Sequence, residues 1–167
     1  MLAWFEPDDT ASPGQADRML EALAHDLTTQ GWRLAGAVQR NLDQGADCAC
    51  DMELHILGQS APPLRISQSL GTGSSGCRLD TGALALAAGR VGATLSGAEL
   101  LILPKFGRQE AVGAGFRDVI GQALADGIPV LLHVPRQQRA AFAEFAGGMG
   151  ECLPPDGLAA WCAGLRI

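Results

Sequence analysis

The feature that most constrains the fold is a pair of short, fully apolar segments. Leu100 to Leu103 is apolar at every position, and Pro129 to Val134 nearly so. Runs of four to six such residues without alternation mark strands buried on both faces, which occur where helices cover a parallel sheet. Helical stripes flank both runs. Leu84, Leu86, Ala87, Val91 and Leu95 precede the first, opened by Asp80 or Thr81 as a cap and closed by Gly97. Phe116, Val119, Ile120 and Leu124 stand between the two, and segments 138–145 and 158–165 read as helices after the second.

The N-terminal part repeats the alternation. Met1 to Phe5 reads as a first strand, and Pro7 to Gly14 as a polar turn. Ala16, Met19, Leu20, Leu23 and Leu27 then form a helix ended by Gly31, before a strand from Trp32 to Val38. Arg40 to Ala49 is loop-like. Met52 to Leu57 and Leu64 to Ser67, separated by Pro62 and Pro63, form a hairpin rather than a strand-helix-strand step. The expected fold is therefore a three-layer α/β domain, a largely parallel but mixed sheet with helices on both faces, spanning residues 1–167 as one unit. Ligands of such sheets bind beyond the C-terminal strand ends, so the loops near Pro7, Lys105 and Pro135 are expected at one edge.

Composition narrows the function classes. Twelve basic and eighteen acidic residues give a net charge of −6, which opposes association with a phosphate backbone, and tyrosine is absent, which removes a common base-stacking group. Nucleic acid is not an expected partner. Glu6, Asp8 and Asp9 stand where a secretory signal needs basic and then apolar residues, and no run reaches membrane-spanning length. A cytoplasmic protein without a membrane partner is expected, with a homo-oligomer left open. Five cysteines without small-scaffold spacing point to reduced thiols.

Several loops carry residues suited to chemistry. The first strand, loop and helix invite a phosphate-loop reading, but Gly14 is the one glycine between Glu6 and Leu20 and no Gly-Lys-Ser or Gly-Lys-Thr follows. Gly71-Thr72-Gly73-Ser74-Ser75-Gly76 fits the G-x-G-x-x-G pattern literally, yet Cys77-Arg78-Leu79 intervenes before the helix. Its amides and hydroxyls, with Arg78, make it a candidate oxyanion nest. Lys105, Gly107, Arg108 and Glu110 follow the buried strand and form a second candidate anion site. Cys48, Cys50 and Asp51 with Cys77 and Asp80 could surround a thiolate-bound metal or form a redox pair, if the two loops meet. Cys152 and Cys162 read as ordinary core or helix residues. Of the three histidines, His25 reads as solvated and His55 as a sheet residue, while His133 ends a buried strand where a ligand could reach it. No G-x-S-x-G elbow supports a hydrolase.

Gln39, Cys50-Asp51-Met52, Ile66-Ser67-Gln68, Cys77-Arg78-Leu79-Asp80, Leu103-Pro104-Lys105-Phe106-Gly107, Glu110-Ala111, Gly113 and Pro129-Val130-Leu131 together resemble the bacterial DUF2478 family, over nearly the whole chain. That family is similar to THEP1-type P-loop nucleoside triphosphatases, in which an apolar strand ends in an acidic pair followed by Gly and Glu. The resemblance implies a P-loop-like fold with a degenerate phosphate loop. It sets Lys105, Gly107 and Glu110 in the Walker B neighbourhood, with Pro104 or Lys105 where a metal-binding acid would stand. The family pattern has Asn before the lysine, so Pro104 is a departure. An association of the family with molybdenum uptake makes molybdate a candidate ligand. The expected function is binding of an oxyanion or nucleotide, without catalysis. The alternatives are a cysteine-based metal or redox site, a partner-binding module without a small ligand, and a residual nucleoside triphosphatase.

Overall fold

The computed structural model describes residues 1–42, 51–68 and 79–166. Its seven strands form one mixed sheet: β1 (Leu2–Phe5), β2 (Leu34–Leu42), β3 (Asp51–Leu57), β4 (Leu64–Arg65), β5 (Leu100–Leu103), β6 (Val130–His133) and β7 (Gly150–Leu153). The order is β4-β3-β2-β5-β6-β1-β7. From β2 to β7 every neighbouring pair is parallel, whereas β3 runs antiparallel to both β2 and β4. The expectation of a largely parallel sheet with a hairpin insertion matches this arrangement, and the hairpin extends one edge.

The four side chains of β5 are fully buried because the two sheet faces carry separate cores. On one face Leu101, Leu103, Val130 and Leu132 pack with residues of α2 (Thr81–Gly92), α4 (Arg117–Ala125) and α5 (Arg139–Ala146). On the other, Leu100, Ile102 and Leu131 meet Leu20, Leu23 and Leu27 of α1 (Gln15–Thr29) and Cys162 of α6 (Leu158–Gly164). A strand whose successive side chains alternate between two apolar layers has no polar face, which is why its sequence is a continuous apolar run. Cys162 sits in this core with its thiol pushed up to about 11 by burial. Cys152, on β7, is exposed.

Three elements differ from the sequence expectation. β2 continues through Arg40, Asn41 and Leu42, which pair with Glu53, Met52 and Asp51 of β3. Cross-strand hydrogen bonding compensates there for weak intrinsic strand preference. The Lys105–Gly115 loop contains a helical turn, α3 (Arg108–Ala111). β7 is a four-residue edge strand with Glu151 and Cys152 exposed, so it shows no apolar run that would announce it. Among the described residues, no helix is long and apolar enough to cross a membrane.

Candidate functional site

The C-terminal ends of β1, β2, β5 and β6 gather the relevant loops at one edge. The loop after β1 is closed by its own bonds. Ala11 N–H donates to the Asp8 carbonyl (2.8 Å), and Ser12 N–H to Gln15 Oε1 (3.2 Å). Arg18 donates to Ser12 Oγ (2.6 Å) and to the Pro13 carbonyl (3.1 Å). Arg136 binds Glu6 (3.2 Å) and Asp9, while Arg139 Nη2 lies 2.6 Å from Glu6 Oε2 as an ion pair outside hydrogen-bonding geometry. A phosphate cradle needs free amides and positive charge. This loop offers acidic side chains held by arginines.

A cleft of about 550 Å³ lies beside it, on the α2 and α5 side of the sheet. Met52, Leu54, Ile66, Leu79, Leu84 and Phe116 supply apolar wall, and Gln39, Lys105, Arg108, Gln109, Gln137 and Gln138 supply polar groups. The loop after β5 is built around Phe106. Its buried ring stands 5.3 Å from Phe142 and 5.4 Å from Phe145, and its N–H donates to the His133 carbonyl (2.8 Å). Anchoring Phe106 leaves Lys105 on one side and Arg108 on the other, both exposed.

Glu110 closes the same loop. It is 3 % exposed, and its two carboxylate oxygens accept the N–H groups of Gly107 (2.9 Å) and Phe116 (2.9 Å). The carboxylate thereby satisfies two amides that the turn would otherwise bury without partners. Gly115 makes room for it: at φ +58°, a Cβ there would stand 2.1 Å from Glu110 Oε1. Lys105 and Arg108 thus face the cleft beside a carboxylate whose oxygens are already engaged by the backbone.

The charge of Lys105 reaches its neighbours. Burial pushes the His133 imidazole down to about 4, Lys105 adds to the effect, and Glu6 opposes it. Burial also raises Asp17, against the lowering influence of its bond from Asn41 and of Lys105 and Arg18. Asn41 Nδ2 donates to Asp17 Oδ2 (3.0 Å), and Gln39 Nε2 donates to Asn41 Oδ1 (2.9 Å). A chain of side-chain bonds therefore runs from the cleft to the start of α1.

The candidate residues fall into three groups. Lys105, Gly107, Arg108 and Glu110 line the cleft. Asp51 and Asp80 hold local partners: Asp51 Oδ1 pairs with Arg65 Nη2 (2.6 Å) and accepts from Ser67 Oγ (3.1 Å), and Asp80 Oδ1 caps α2 through Ala83 N–H (3.0 Å). Ser67 stands between their segments, bonded to Asp51 and bridged to Leu79. Gly71, Gly73, Ser74, Ser75, Arg78, Cys48, Cys50 and Cys77 lie outside the described residues. Among the described residues no group of three or more His, Cys, Asp or Glu side chains is arranged to hold a metal ion. Gln109, Gln137 and Gln138 carry no motif of their own, and neither Asn41 nor Asp17 stands out in the sequence. The sequence signal is Gln39 itself, a polar residue directly after the apolar stretch Leu34 to Val38.

Residues 9–161 match the family described as "Protein of unknown function (DUF2478)". Over 138 residues, 82% of this chain, the sequence is 38% identical to the molybdenum import ATP-binding protein ModC 2 of Bradyrhizobium diazoefficiens. The match covers 15% of that protein's length. No solved structure matches the chain. The mixed α/β sheet fits a P-loop-like fold, as similarity to an ATP-binding protein would have it. The family match covers all but the two ends of the sequence, and the chain belongs to the DUF2478 family.

Proposed function

We propose that the protein binds an organic anion of nucleotide size in the cleft beyond β2, β5 and β6, without turning it over. One observation carries this reading: Lys105 and Arg108 stand on an otherwise largely apolar cleft, and the adjoining Glu110 carboxylate is committed to two backbone amides. Cationic groups on an apolar wall suit a ligand with an anionic end and an apolar body. A volume of about 550 Å³ is that of a site for a whole small organic molecule rather than for a bare oxyanion. The similarity to an ATP-binding protein of molybdenum import supports nucleotide as the class and molybdenum handling as the setting.

The absence of turnover follows from the residues that replace the usual parts. Magnesium needs hard oxygen ligands; the positions after β5 hold Pro104 and Lys105, and the Glu6 and Asp9 carboxylates after β1 are engaged by Arg136 and Arg139, so the residues present do not fit that ion. The loop after β1 directs acids and arginines at each other instead of amides at phosphate. Positioning and charge neutralisation make up most of phosphoryl-transfer catalysis. Nucleic acid, a membrane and a second protein chain are not needed by this reading.

Calorimetric titration of the folded protein with ATP, GTP, molybdate and tungstate tests it. Heat is expected for at least one nucleotide, weakened about tenfold or more in Lys105→Ala, which removes a charge-assisted contact. Folded protein that gives no heat with any of the four sinks the reading.

A further inference from the structure

Gln39 is a long polar side chain only 5 % exposed, on the part of β2 that lines the cleft. A glutamine amide can offer either a donor or an acceptor to a ligand, depending on which way it is turned. Here the choice is made by the chain of bonds behind it. Asp17, when ionised, can only accept, so Asn41 must turn its nitrogen toward it (3.0 Å). The Asn41 oxygen then faces Gln39, whose nitrogen must answer it (2.9 Å). With Nε2 held by Asn41, the other end of the Gln39 amide is its carbonyl oxygen, Oε1, beside one remaining N–H.

The rest of the edge is shaped to hold this order. Gly14, with φ +74°, opens α1, and a Cβ on it would lie 3.2 Å from Asn41 Nδ2. The residue that permits α1 to start in this conformation also leaves space for Asn41 to reach Asp17. Burial, the largest influence on Asp17, opposes its charged form, while the bond from Asn41 and the charges of Lys105 and Arg18 favour it; the order of the bonds is set by Asp17 Oδ2, which takes the Asn41 N–H.

Building on the proposed anion site, we infer that Gln39 is a specificity-determining residue, presenting a fixed acceptor so that the cleft selects an anion carrying an N–H donor on its apolar body. An aminated heteroaromatic ring on a phosphate meets that description. Its amino group reaches Gln39 while its anionic end meets Lys105 and Arg108. Asp17 and Asn41 act through Gln39 and are positioning residues.

The experiment compares ATP with purine riboside 5′-triphosphate, which has the same phosphates and ring but no exocyclic amine. Wild type is expected to bind ATP about tenfold more tightly, as for one ligand hydrogen bond to a buried acceptor. Gln39→Met should bring the two affinities together by weakening ATP alone. Asp17→Asn should narrow the gap while leaving Gln39 in place, because an amide at position 17 no longer dictates which end Asn41 presents. Equal affinities in the wild type overturn this inference and leave the anion site standing. A wild-type protein that binds neither compound overturns this inference, and it overturns the anion site as well when GTP, molybdate and tungstate also give no heat.

Discussion

At the scale of single residues, His133 reports most directly on the electrostatics of the edge. Its ring lies 5.7 Å from that of Phe5 and is pushed down from an ordinary 6.5 to about 4, first by burial and then by Lys105. The folded chain therefore refuses a proton that the unfolded chain takes. The stability that depends on a neutral His133 is complete above pH 6.5 and is lost as pH falls from there toward 4. With its partial exposure discounted, the effect should be about 1–2 kcal/mol, or a few degrees in Tm. Melting curves of wild type and His133→Gln across this range should show a steeper decline in the wild type; parallel declines would falsify the assignment. The sequence marks His133 as reachable from a strand end, which is as far as one strand can speak. Lys105 is twenty-eight residues earlier, on the neighbouring strand's loop, and its influence depends on a parallel pairing that local pattern does not encode. Glu110 makes the complementary case. Its charge is visible in the sequence among the anion-site residues, whereas its use as an acceptor for Gly107 and Phe116 depends on the loop's path.

At the scale of elements, the loop after β5 is a small closed structure that stands on two choices, an aromatic anchor and a glycine. Phe106 fills the space against Phe142 and Phe145, and Gly115 admits the Glu110 carboxylate. Gly115→Ala combines a disfavoured positive φ with a contact that would move Glu110 off its amides. It should cost about 2–4 kcal/mol, because two buried N–H groups lose their acceptor in addition to the backbone strain. Denaturant unfolding should show the loss, and ligand affinity should fall with it since Lys105 and Arg108 flank the same turn. Unchanged unfolding would show that the turn is not held in this way. The glycine-rich character of this loop is evident from sequence, but which glycine has a carboxylate behind it is not. Buried strands and amphipathic helices are legible because their periodicity reflects what covers them. β7 and the last three residues of β2 escape for the opposite reason: one lies at an edge with two exposed side chains, and the others are extended by the partner strand β3.

At the scale of the whole molecule, the fold class follows from the alternation of elements, while the strand order does not. β1 sits between β6 and β7, and β2 between β3 and β5, so the cleft draws on segments from Gln39 to Gln138 whose meeting is fixed by crossovers. Its surroundings carry a further consequence. The protein has a net charge of −6, whereas Lys105 and Arg108 give the cleft the opposite sign. An approaching anion feels the whole molecule when the screening length is about 30 Å, near 0.01 M salt, and mainly the nearby groups when it is about 10 Å, near 0.1 M. The association rate of ATP should therefore rise as salt increases between those two concentrations, because the long-range repulsion is screened before the short-range attraction. In Lys105→Ala/Arg108→Ala the basic count falls from twelve to ten against eighteen acids, a net of −8. The rise should be steeper there and the affinity lower. Stopped-flow measurements at a series of salt concentrations separate these effects, since a rate that falls steadily with salt in the wild type would mean that the cleft's own field dominates at every distance.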